Sequence, residues 1–309
     1  MDLSFAYRIK TEICDNRPFR LRHKRALAYG LLLFGKSFGP ERICLHTEHR
    51  AVARLYADCI SDLAGLSDSI TLREVRRPER RSVYVVTVDS LTDRIAVLSC
   101  FGCRAGEDPC RIRPERIAEG ERPAFLSGAF LACGAVGDPE RDYRAEFVVP
   151  ARRLCDDLET FLGESLAPPK RTVRRNDYLL YYKESEHIED LLTYIGAPKS
   201  SLELMEVKIV KEVRNKVNRA TNCETANIGK TVAAAMGQVR AIQRIEATCG
   251  LGALDEELRE LARLRLENPE LSLRELGAAL SSPISRSGVN HRLRRILEFA
   301  EELEKGPKG

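Results

Sequence analysis

One order of predicted elements occurs twice in this chain, and this repeat is the feature that most restricts its fold. The first copy runs through the apolar helix "ALAYGLLLFG", the strand "RICLHT", the amphipathic helix "RAVARLYADCISDL", the strand patterns "SITLREV" and "SVYVVTV", and a helix that begins near Ser90. The second copy runs through "FLSGAFLACGA", "YRAEFVV", "ARRLCDDLETFL", "DYLLYYK" and "HIEDLLTYIG". Self-similarity at a period near 100 residues indicates an internal duplication. We therefore expect an α+β fold with two related halves.

The first helix of each copy carries small residues where a stable helix would carry leucine. Aligning the copies places Gly30 on Gly128 and Ala26 on Ala124. Glycine inside a helix costs about 1 kcal/mol relative to alanine, so another interaction must compensate. Ala124, Gly128 and Ala132 lie one turn apart and form a shallow groove, with Ala26 and Gly30 as its counterpart. We expect the two helices to pack closely against each other.

Changes of pattern along the chain predict five segments. After about Ser200 only helical spacing is present, and a capping box at Thr221–Glu224 predicts that a second helix begins there. The segments are a first repeat at 1–110, a Gly-, Pro- and charge-rich linker at 111–122, a second repeat at 123–198, a helical Arg/Asn-rich connector at 199–250 and a trihelical unit at 251–304.

The trihelical unit has the pattern of a helix-turn-helix. Its first helix is "LDEELRELARLRLEN", and its short second helix "LRELGAAL" follows a capping box formed by Ser272 and Glu275. The turn "SSPI" leads to a longer basic helix that begins near Ser285. A short helix, a tight turn and a longer basic helix are typical of DNA-binding units.

The third helix separates an apolar face from a basic one. Arginine and asparagine suit bidentate contacts with guanine and adenine edges in the major groove. From Ser285 to Leu297 there are four arginines and no carboxylate, whereas Leu254 to Glu275 contains seven acids and four arginines. A solvated basic helix in a small bundle is the alternative interpretation. The apolar face comprises Val289, Leu293, Ile296 and Ala300, and the predicted DNA contacts are Arg286, Ser287, Asn290, His291, Arg294 and Arg295.

The connector contains a second basic element, "VKIVKEVRNKVNRATNCETANIGKT". Asparagine is a mediocre helix former, so its repeated use beside arginine favours polar recognition. The alternative is that the asparagines cap helix ends and tie an interdomain joint together. Predicted to support DNA binding here are Arg214, Asn218, Arg219 and Lys230.

Composition excludes several classes of protein. The formal charge of +4 says little about partners. Ten scattered cysteines are expected to be reduced thiols, and the C-x-x-C at Cys100 and Cys103, with Cys110 nearby, lacks a fourth ligand at matching spacing, which favours incidental thiols over zinc. We expect no metal and no cofactor. Without a leader or an apolar run of roughly 20 residues, we expect a soluble, cytoplasmic, nucleoid-associated protein with no membrane partner.

The C-terminal third resembles the WhiA family of bacterial regulators. The resemblance rests on "VRNKVNRATNCETANIGKT", "LARLRLENPELSLRELGAAL" and "PISRSGVNHRLRRI", which occur in the family's order. It implies an N-terminal region similar to the duplicated LAGLIDADG homing-endonuclease fold, and a helix-turn-helix similar to the promoter-reading region 4 of sigma factors. It also implies transcriptional control of cell division or sporulation genes.

The resemblance bears on catalysis as well. In active LAGLIDADG nucleases each motif helix ends in an acid that holds a divalent metal. The resemblance puts Gly35 and Cys133 at these positions, and neither is a carboxylate. Nearby Asp138 and Glu140 are assigned a turn or helix-cap role, as is Glu41 in the first repeat.

These observations favour a sequence-specific DNA-binding transcriptional regulator that is not an enzyme. Its catalytically inactive nuclease-like domain would act as a binding platform. The expected partner is double-stranded promoter DNA, with RNA polymerase or another regulator as a further candidate. Two alternatives stay open, a divergent metal-dependent DNA endonuclease and a protein-interaction adaptor with weak DNA contact.

Overall fold

A computed structural model describes residues 4–16, 20–66, 68–78, 80–103, 107–175 and 177–305 of the chain. The chain forms two compact units, Met1–Glu212 and Val213–Gly309, and each has its own hydrophobic core. Among the described residues, none of the helices combines the length and the apolar character needed to cross a bilayer.

The first unit begins with helix α1 and the first repeat. Its four strands form one antiparallel sheet in the order β1-β2-β4-β3. The elements are α1 (Phe5–Asp15), α2 (Leu21–Leu33), β1 (Ser37–Phe38), β2 (Ile43–Thr47), α3 (Arg50–Ala64), β3 (Ile70–Arg77), β4 (Arg80–Val88) and α4 (Leu91–Cys100).

The second repeat has the same order of elements and the same topology. Its sheet has the order β5-β6-β8-β7, so each strand matches its counterpart in the first sheet. The expected duplicated α+β fold is therefore confirmed. The elements are α5 (Arg122–Cys133), β5 (Gly134–Val136), β6 (Ala145–Val149), α6 (Arg152–Ser165), β7 (Lys170–Arg174), β8 (Asp177–Tyr182) and α7 (Ser185–Tyr194), preceded by short 3-10 turns at Pro114–Arg116 and Glu119–Glu121.

Local sequence explains these elements. Strand β6 buries every second residue, Ala145, Phe147 and Val149, as expected for a strand with one face on a core. Helix α4 begins where predicted, because the Ser90 hydroxyl accepts a hydrogen bond from the Asp93 N–H at 3.4 Å. Helix α3 ends at Gly65, whose φ of 68° is the left-handed conformation that glycine adopts easily.

Helices α2 and α5 cross with their backbones in contact, which confirms the expected packing of the small residues. A Cβ atom at Gly30 would lie 2.0 Å from the Phe125 carbonyl oxygen, and one at Gly128 would lie 2.0 Å from the Leu27 carbonyl oxygen. The two glycines occupy equivalent places in the two repeats. Only glycine fits at either position, and the close packing offsets its low helix propensity.

The one hydroxyl in the apolar part of α5 also has a structural explanation. The Ser127 Oγ lies 2.8 Å from the Pro123 carbonyl oxygen in its own helix and 2.7 Å from the Ile195 carbonyl oxygen after α7. Buried hydroxyls are stable only when hydrogen-bonded, and here two acceptors are within reach. Ser127 therefore ties α5 to the end of the second repeat.

One of the remaining helices is longer than the sequence predicted. A single helix, α8 (Pro198–Cys249), runs through the predicted connector, and the boundary between the two units falls inside it. The helix start predicted at Thr221–Glu224 is therefore wrong, because the backbone stays helical there. A 3-10 turn (Leu251–Ala253) follows, and then α9 (Glu256–Glu267), α10 (Leu273–Ala279) and α11 (Arg286–Lys305).

We predict that Gly128→Ala destabilises the first unit by about 2–4 kcal/mol, because the added methyl group must displace helix backbone. Gly163→Ala is the matched control, since it lies in α6 of the same unit and the nearest atom to an added Cβ is 4.0 Å away. The control is expected to gain up to about 1 kcal/mol from helix propensity. Urea unfolding measures both free energies, and equal stability of Gly128→Ala and the unmodified chain would contradict the packing argument.

Candidate nucleic-acid interface

Three helices of the second unit form a small bundle that holds α11. Val289, Leu293 and Ile296 of α11 are buried against a cluster that includes Leu258 and Leu261 of α9. The Ser272–Glu275 capping box is confirmed: the Ser272 Oγ accepts from the Glu275 N–H at 3.3 Å, and a Glu275 carboxylate oxygen accepts from the Ser272 N–H at 2.8 Å. These contacts fix which side of α11 faces solvent.

The turn between α10 and α11 is held at both ends. The Ile284 N–H donates to the Gly277 carbonyl oxygen at 3.0 Å, which closes the turn. The Glu260 carboxylate of α9 accepts from the Ser281 N–H at 2.6 Å and from its hydroxyl at 3.0 Å, and these bonds lower the pKa of Glu260. The Ser285 Oγ then accepts from the Gly288 N–H at 3.2 Å, so α11 begins where predicted.

The structure brings the six predicted α11 residues together on one exposed side of the helix. Arg294 makes no ion pair within the described part of the chain, whereas an Arg295 guanidinium nitrogen lies 3.1 Å from an Asp255 carboxylate oxygen. Both partners of that pair are largely exposed, so the pair contributes little stability and leaves Arg295 accessible. The exposed residues are Arg286, Ser287, Asn290, His291, Arg294 and Arg295.

Charge is divided between α9 and α11. Arg292, the fourth arginine of the basic stretch, lies toward α9, where it pairs with Glu257 at 2.7 Å and is shielded from solvent. Glu257 of α9 therefore lies behind α11 and neutralises the arginine on its inner side. The outer side keeps its positive charge, which is the distribution that attracts a polyanion to one surface only.

Arg265 was missed by the sequence reasoning and is a buried part of this unit. Its guanidinium donates to the Leu271 carbonyl oxygen at 2.7 Å and lies 3.3 Å from the Pro269 carbonyl oxygen. Burial lowers its pKa. The spacing Leu258, Leu261, Arg265 is the signal that was available, since it puts Arg265 on the buried stripe of α9. Arg265 holds the loop that positions α10.

The four predicted contacts on α8 are exposed but do not all share one side. Arg219 and Lys230 are eleven residues apart, or about three turns, and point the same way. Lys216 lies within about 60° of both, at 100° per residue, and joins them in a basic face. Arg214 lies about 140° from Arg219, with Asn218 between them. Because α8 is continuous, Asn215, Asn218 and Asn222 lie in its interior, and the interpretation of these asparagines as helix caps is wrong.

The ends of α2 and α5 are the places where a LAGLIDADG nuclease would carry its metal-binding acids. A Cβ at Gly35 would lie 2.9 Å from the Cys44 carbonyl oxygen and 3.1 Å from that of Leu32, so no larger side chain fits. Cys133 is the last residue of α5, and the Val148 backbone lies near its thiol. Burial raises the pKa of Cys133 to about 12, so the thiol stays protonated and neutral.

A lysine lies beside Cys133. The Lys10 ammonium, from α1, donates to the Leu131 carbonyl oxygen at 3.0 Å, near the C-terminus of α5 where cations are favoured. Burial lowers its pKa to about 8. At neutral pH the group therefore remains a cation. A positive charge at this place repels a divalent metal ion.

The other candidate ligands do not form a metal site in the described part of the chain. No cluster of three or more His, Cys, Asp or Glu side chains suited to a metal is present there. The Asp138 carboxylate accepts from the Glu140 N–H at 3.0 Å, the turn contact expected of it. Cys103 and Cys110 have their pKa values raised by burial, which keeps both thiols protonated.

The open face of the first sheet is a cationic surface that the sequence reasoning missed. His46 and Arg73 both lie opposite Val85, so the three form one row across the sheet, on the face away from Leu45. Burial, and then the neighbouring Arg42, Lys36 and Arg77, lower the pKa of His46. Alternation in "SITLREV" was the available signal, because it puts Arg73 on the face opposite to the core.

We predict that Lys10 makes stability depend on pH. The folded-state pKa of about 8 lies below the ordinary lysine value of 10.5, so the unfolded chain binds more protons between these values and stability rises with pH there. Relative to Lys10→Gln, the unmodified chain should gain on the order of 2 kcal/mol from pH 8 to 10.5. Urea unfolding of both proteins across this range measures the difference, and parallel profiles would refute the assignment.

Two family models match the chain. Residues 122–214 match a WhiA LAGLIDADG-like domain, and residues 217–300 match a WhiA C-terminal HTH domain. The first model covers the second repeat and the start of α8. The second model covers most of the rest of α8 and the trihelical bundle.

Whole proteins match as well. The chain is 37% identical over 323 residues to the "Probable cell division protein WhiA" of Clostridium botulinum strain Hall, with 98% of this chain and 100% of that protein covered. It is 37% identical over 319 residues to the protein of the same name from Clostridium perfringens strain SM101, with coverage of 98% and 99%. The crystal structure of full-length DUF199/WhiA from Thermotoga maritima aligns with a TM-score of 0.56 and 25% identity, covering 97% of this chain and 99% of that one. On the evidence of fold, motif helices and full-length similarity, the chain belongs to the WhiA family.

Proposed function

We propose that the chain is a sequence-specific DNA-binding regulator of transcription, acting on cell division or sporulation genes. The observation that carries this proposal is the outer side of α11, where Arg286, Asn290 and Arg294 are exposed on a helix whose opposite side is buried. A helix fixed in this way can enter the major groove, and these side chains match the hydrogen-bonding groups of guanine and adenine. The names of the relatives, probable cell division proteins, support the class of target genes.

The proposed contacts divide into two kinds. Arg286, Ser287, Asn290, His291 and Arg294 would contact base edges or the phosphates next to them, with Arg295 at the rim. Along α8, the basic face of Lys216, Arg219 and Lys230 would contact the sugar-phosphate backbone, which adds affinity without sequence preference. Arg214 and Asn218 are also proposed contacts, but they lie about 140° and 100° around α8 from Arg219, outside this basic face.

For the nuclease-like module we infer a binding role without cleavage. Support comes from Gly35, which has no space for an acid, from the neutral Cys133 thiol, and from the Lys10 cation beside it. The open face of the first sheet carries Arg73, and Arg42, Lys36 and Arg77 lie near His46. These cations support a role as a platform for DNA or for a protein partner with acidic groups. RNA polymerase or another regulator is the candidate protein partner, and a cytoplasmic, nucleoid-associated location follows from the proposed function.

We predict that Arg294→Ala lowers the affinity for a bound promoter fragment by about 10-fold to 100-fold, with the loss concentrated at one position of the site. The probe is a duplex from genome-wide mapping of sites occupied by the protein. Arg263→Ala is the matched control, because Arg263 is an exposed arginine on the acidic helix α9. Fluorescence anisotropy measures binding. If Arg294→Ala and Arg263→Ala bind alike, α11 is not the reading helix.

We predict that the full chain leaves supercoiled plasmid intact in magnesium or manganese while it retards the same DNA on a native gel. The physical reason is that neither motif helix supplies a carboxylate to a metal. Retardation in the same reaction shows that the protein is active for binding. Metal-dependent nicking that disappears in Asp138→Asn or Glu140→Gln would instead establish the divergent endonuclease, and absence of retardation on mapped promoter DNA would favour the adaptor.

A further inference from the structure

A cavity lies beside the first turns of α2, away from the end of that helix that leads to Gly35. Its volume is about 320 Å³, which is within the range of roughly 300–1,000 Å³ that small-molecule sites occupy. Its walls come from α2, from the end of α4 with Phe101, and from the 3-10 turns between the two repeats. None of the residues proposed to contact DNA lines this cavity, so it is separate from the surface assigned to DNA.

The floor of the cavity is apolar and already formed. It consists of Ala26 and Tyr29 of α2, together with Phe101 and Ile117, and all four residues are buried. The Tyr29 and Phe101 rings are stacked, with centroids 5.2 Å apart and planes inclined by 15°. The Tyr29 hydroxyl donates to the Arg111 carbonyl oxygen at 3.0 Å, which fixes the ring further. The floor therefore offers a rigid apolar surface to a ring of similar size.

Three arginines line the same cavity, namely Arg22, Arg25 and Arg116. Arg22 and Arg25 are about one turn apart on α2, so their side chains leave the helix on the same side. Within the described part of the chain, no carboxylate forms an ion pair with any of the three. In the neighbouring segment, by contrast, Arg111 pairs with an aspartate and Arg113 with a glutamate. The cavity thus concentrates positive charge that the protein itself does not neutralise.

The backbone holds two of these guanidinium groups in place. An Arg25 nitrogen donates to the carbonyl oxygen of Cys100, the last residue of α4. The Arg116 guanidinium lies directly on Gly102, where a Cβ atom would be only 2.0 Å from one of its nitrogens. Gly102 also has a φ of 70°, so glycine is favoured there by conformation as well as by space. A guanidinium has five N–H donors, so both groups keep donors for a ligand.

The chemistry of the lining defines the class of ligand. Guanidinium groups bind phosphate oxygens with paired N–H donors, and a bound anion removes the repulsion among three like charges. Inorganic phosphate alone leaves the apolar floor in water, so the ligand must also carry a ring. Glu121 is the acid among the lining residues, and its carboxylate accepts from the Ala118 N–H at 3.2 Å. A carboxylate accepts several hydrogen bonds, so Glu121 can also accept from a hydroxyl or amino group of the ligand.

We propose that this cavity is a binding site for a phosphorylated small molecule with a flat ring, the chemistry of a mononucleotide. The arginines hold the phosphate, the ring lies on the apolar floor, and Glu121 accepts from the sugar or the base. Because Arg22 and Arg25 belong to α2 while Arg116 and Glu121 belong to the connecting turns, the ligand joins these turns to the first repeat. This function of the first unit is independent of DNA binding by α11.

The first experiment measures binding to the full chain by equilibrium dialysis. The probes are the 5′-monophosphates of adenosine, guanosine, cytidine and uridine, the four nucleosides, and inorganic phosphate. We expect at least one monophosphate to bind with a micromolar dissociation constant, and its nucleoside and inorganic phosphate to bind at least about 10-fold more weakly. The proposal is overturned if all four monophosphates bind more weakly than about 1 mM, or if inorganic phosphate binds as tightly as they do.

The second experiment places the ligand in the cavity. Arg22→Ala and Arg116→Ala should each raise the dissociation constant about 10-fold, because each removes a charged donor to the phosphate. Lys24→Ala is the matched control, since Lys24 is an exposed cation on the same helix that does not line this cavity. Its binding should equal that of the unmodified chain. If all three variants bind alike, the nucleotide lies elsewhere on the protein and the assignment is wrong.

The third experiment tests how Arg116 is positioned. Gly102→Ala puts a methyl group where the Arg116 guanidinium lies, so it should weaken nucleotide binding about as much as Arg116→Ala does. Gly65→Ala is the matched control, because Gly65 has a similar φ of 68° and an added Cβ there meets no atom within 4 Å. Both variants carry the same backbone strain, and only one displaces the arginine. Equal nucleotide affinity of the two variants contradicts the role of Gly102, while Arg116→Ala decides the site independently.

A phosphate of DNA is the other source of the same chemistry, and competition separates the two. The mapped promoter duplex is added in excess over the full chain and the bound monophosphate. We expect the nucleotide to stay bound, and Arg294→Ala to leave its dissociation constant unchanged. Displacement of the nucleotide by the duplex, with weaker duplex binding by Arg22→Ala, makes the cavity a contact for the DNA backbone and overturns the proposal. If the chain does not bind the duplex at all, the nucleotide measurements still stand by themselves.

Discussion

The contact between α2 and α5 at Gly30 and Gly128 is the constraint on which the first unit depends. Each glycine receives a backbone carbonyl of the other helix at a distance that excludes any side chain. The two repeats are therefore joined by main-chain contact between α2 and α5. The strands of each sheet follow one of these two helices in the chain. The contact is equivalent in the two repeats, so the same pattern of small residues is needed in α2 and in α5. Duplication of a repeat that carries this pattern therefore supplies both helices of the interface.

Much of this architecture was predictable because its signals are local. Helix caps at Ser90, Ser272 and Ser285 lie within three residues of the groups they satisfy, and strand alternation is visible in five residues. The close packing of α2 and α5 at Gly30 and Gly128 could be inferred because a duplication supplies an internal comparison. The six residues on the outer side of α11 followed from helical periodicity alone, and the structure places them together on an exposed surface.

Other features depend on contacts that no local pattern encodes. Lys10 donates to a carbonyl 121 residues away, and nothing near "RIKTE" indicates that partner. Arg265 enters the sequence analysis only as one of the four arginines between Leu254 and Glu275, although its position on the apolar stripe of α9 indicates that it is buried. In α8, the Thr221–Glu224 signal predicts a helix start, but a capping box acts only where the preceding backbone leaves the helix. The flanking sequence contains no residue that forces it to do so, and the helix continues through both units.

The lysine at the end of α5 has a consequence for how this fold can change. A carboxylate introduced at Cys133 would meet the Lys10 cation first, and an internal ion pair would form where a nuclease needs a free ligand. At Gly35 the backbone of β2 already occupies the space that a side chain would need. Metal chemistry at these two positions would thus require the removal of a cation and the movement of a strand before any acid became useful. An acid introduced at the end of either helix would therefore meet surroundings that do not suit a metal ion until those surroundings had changed as well.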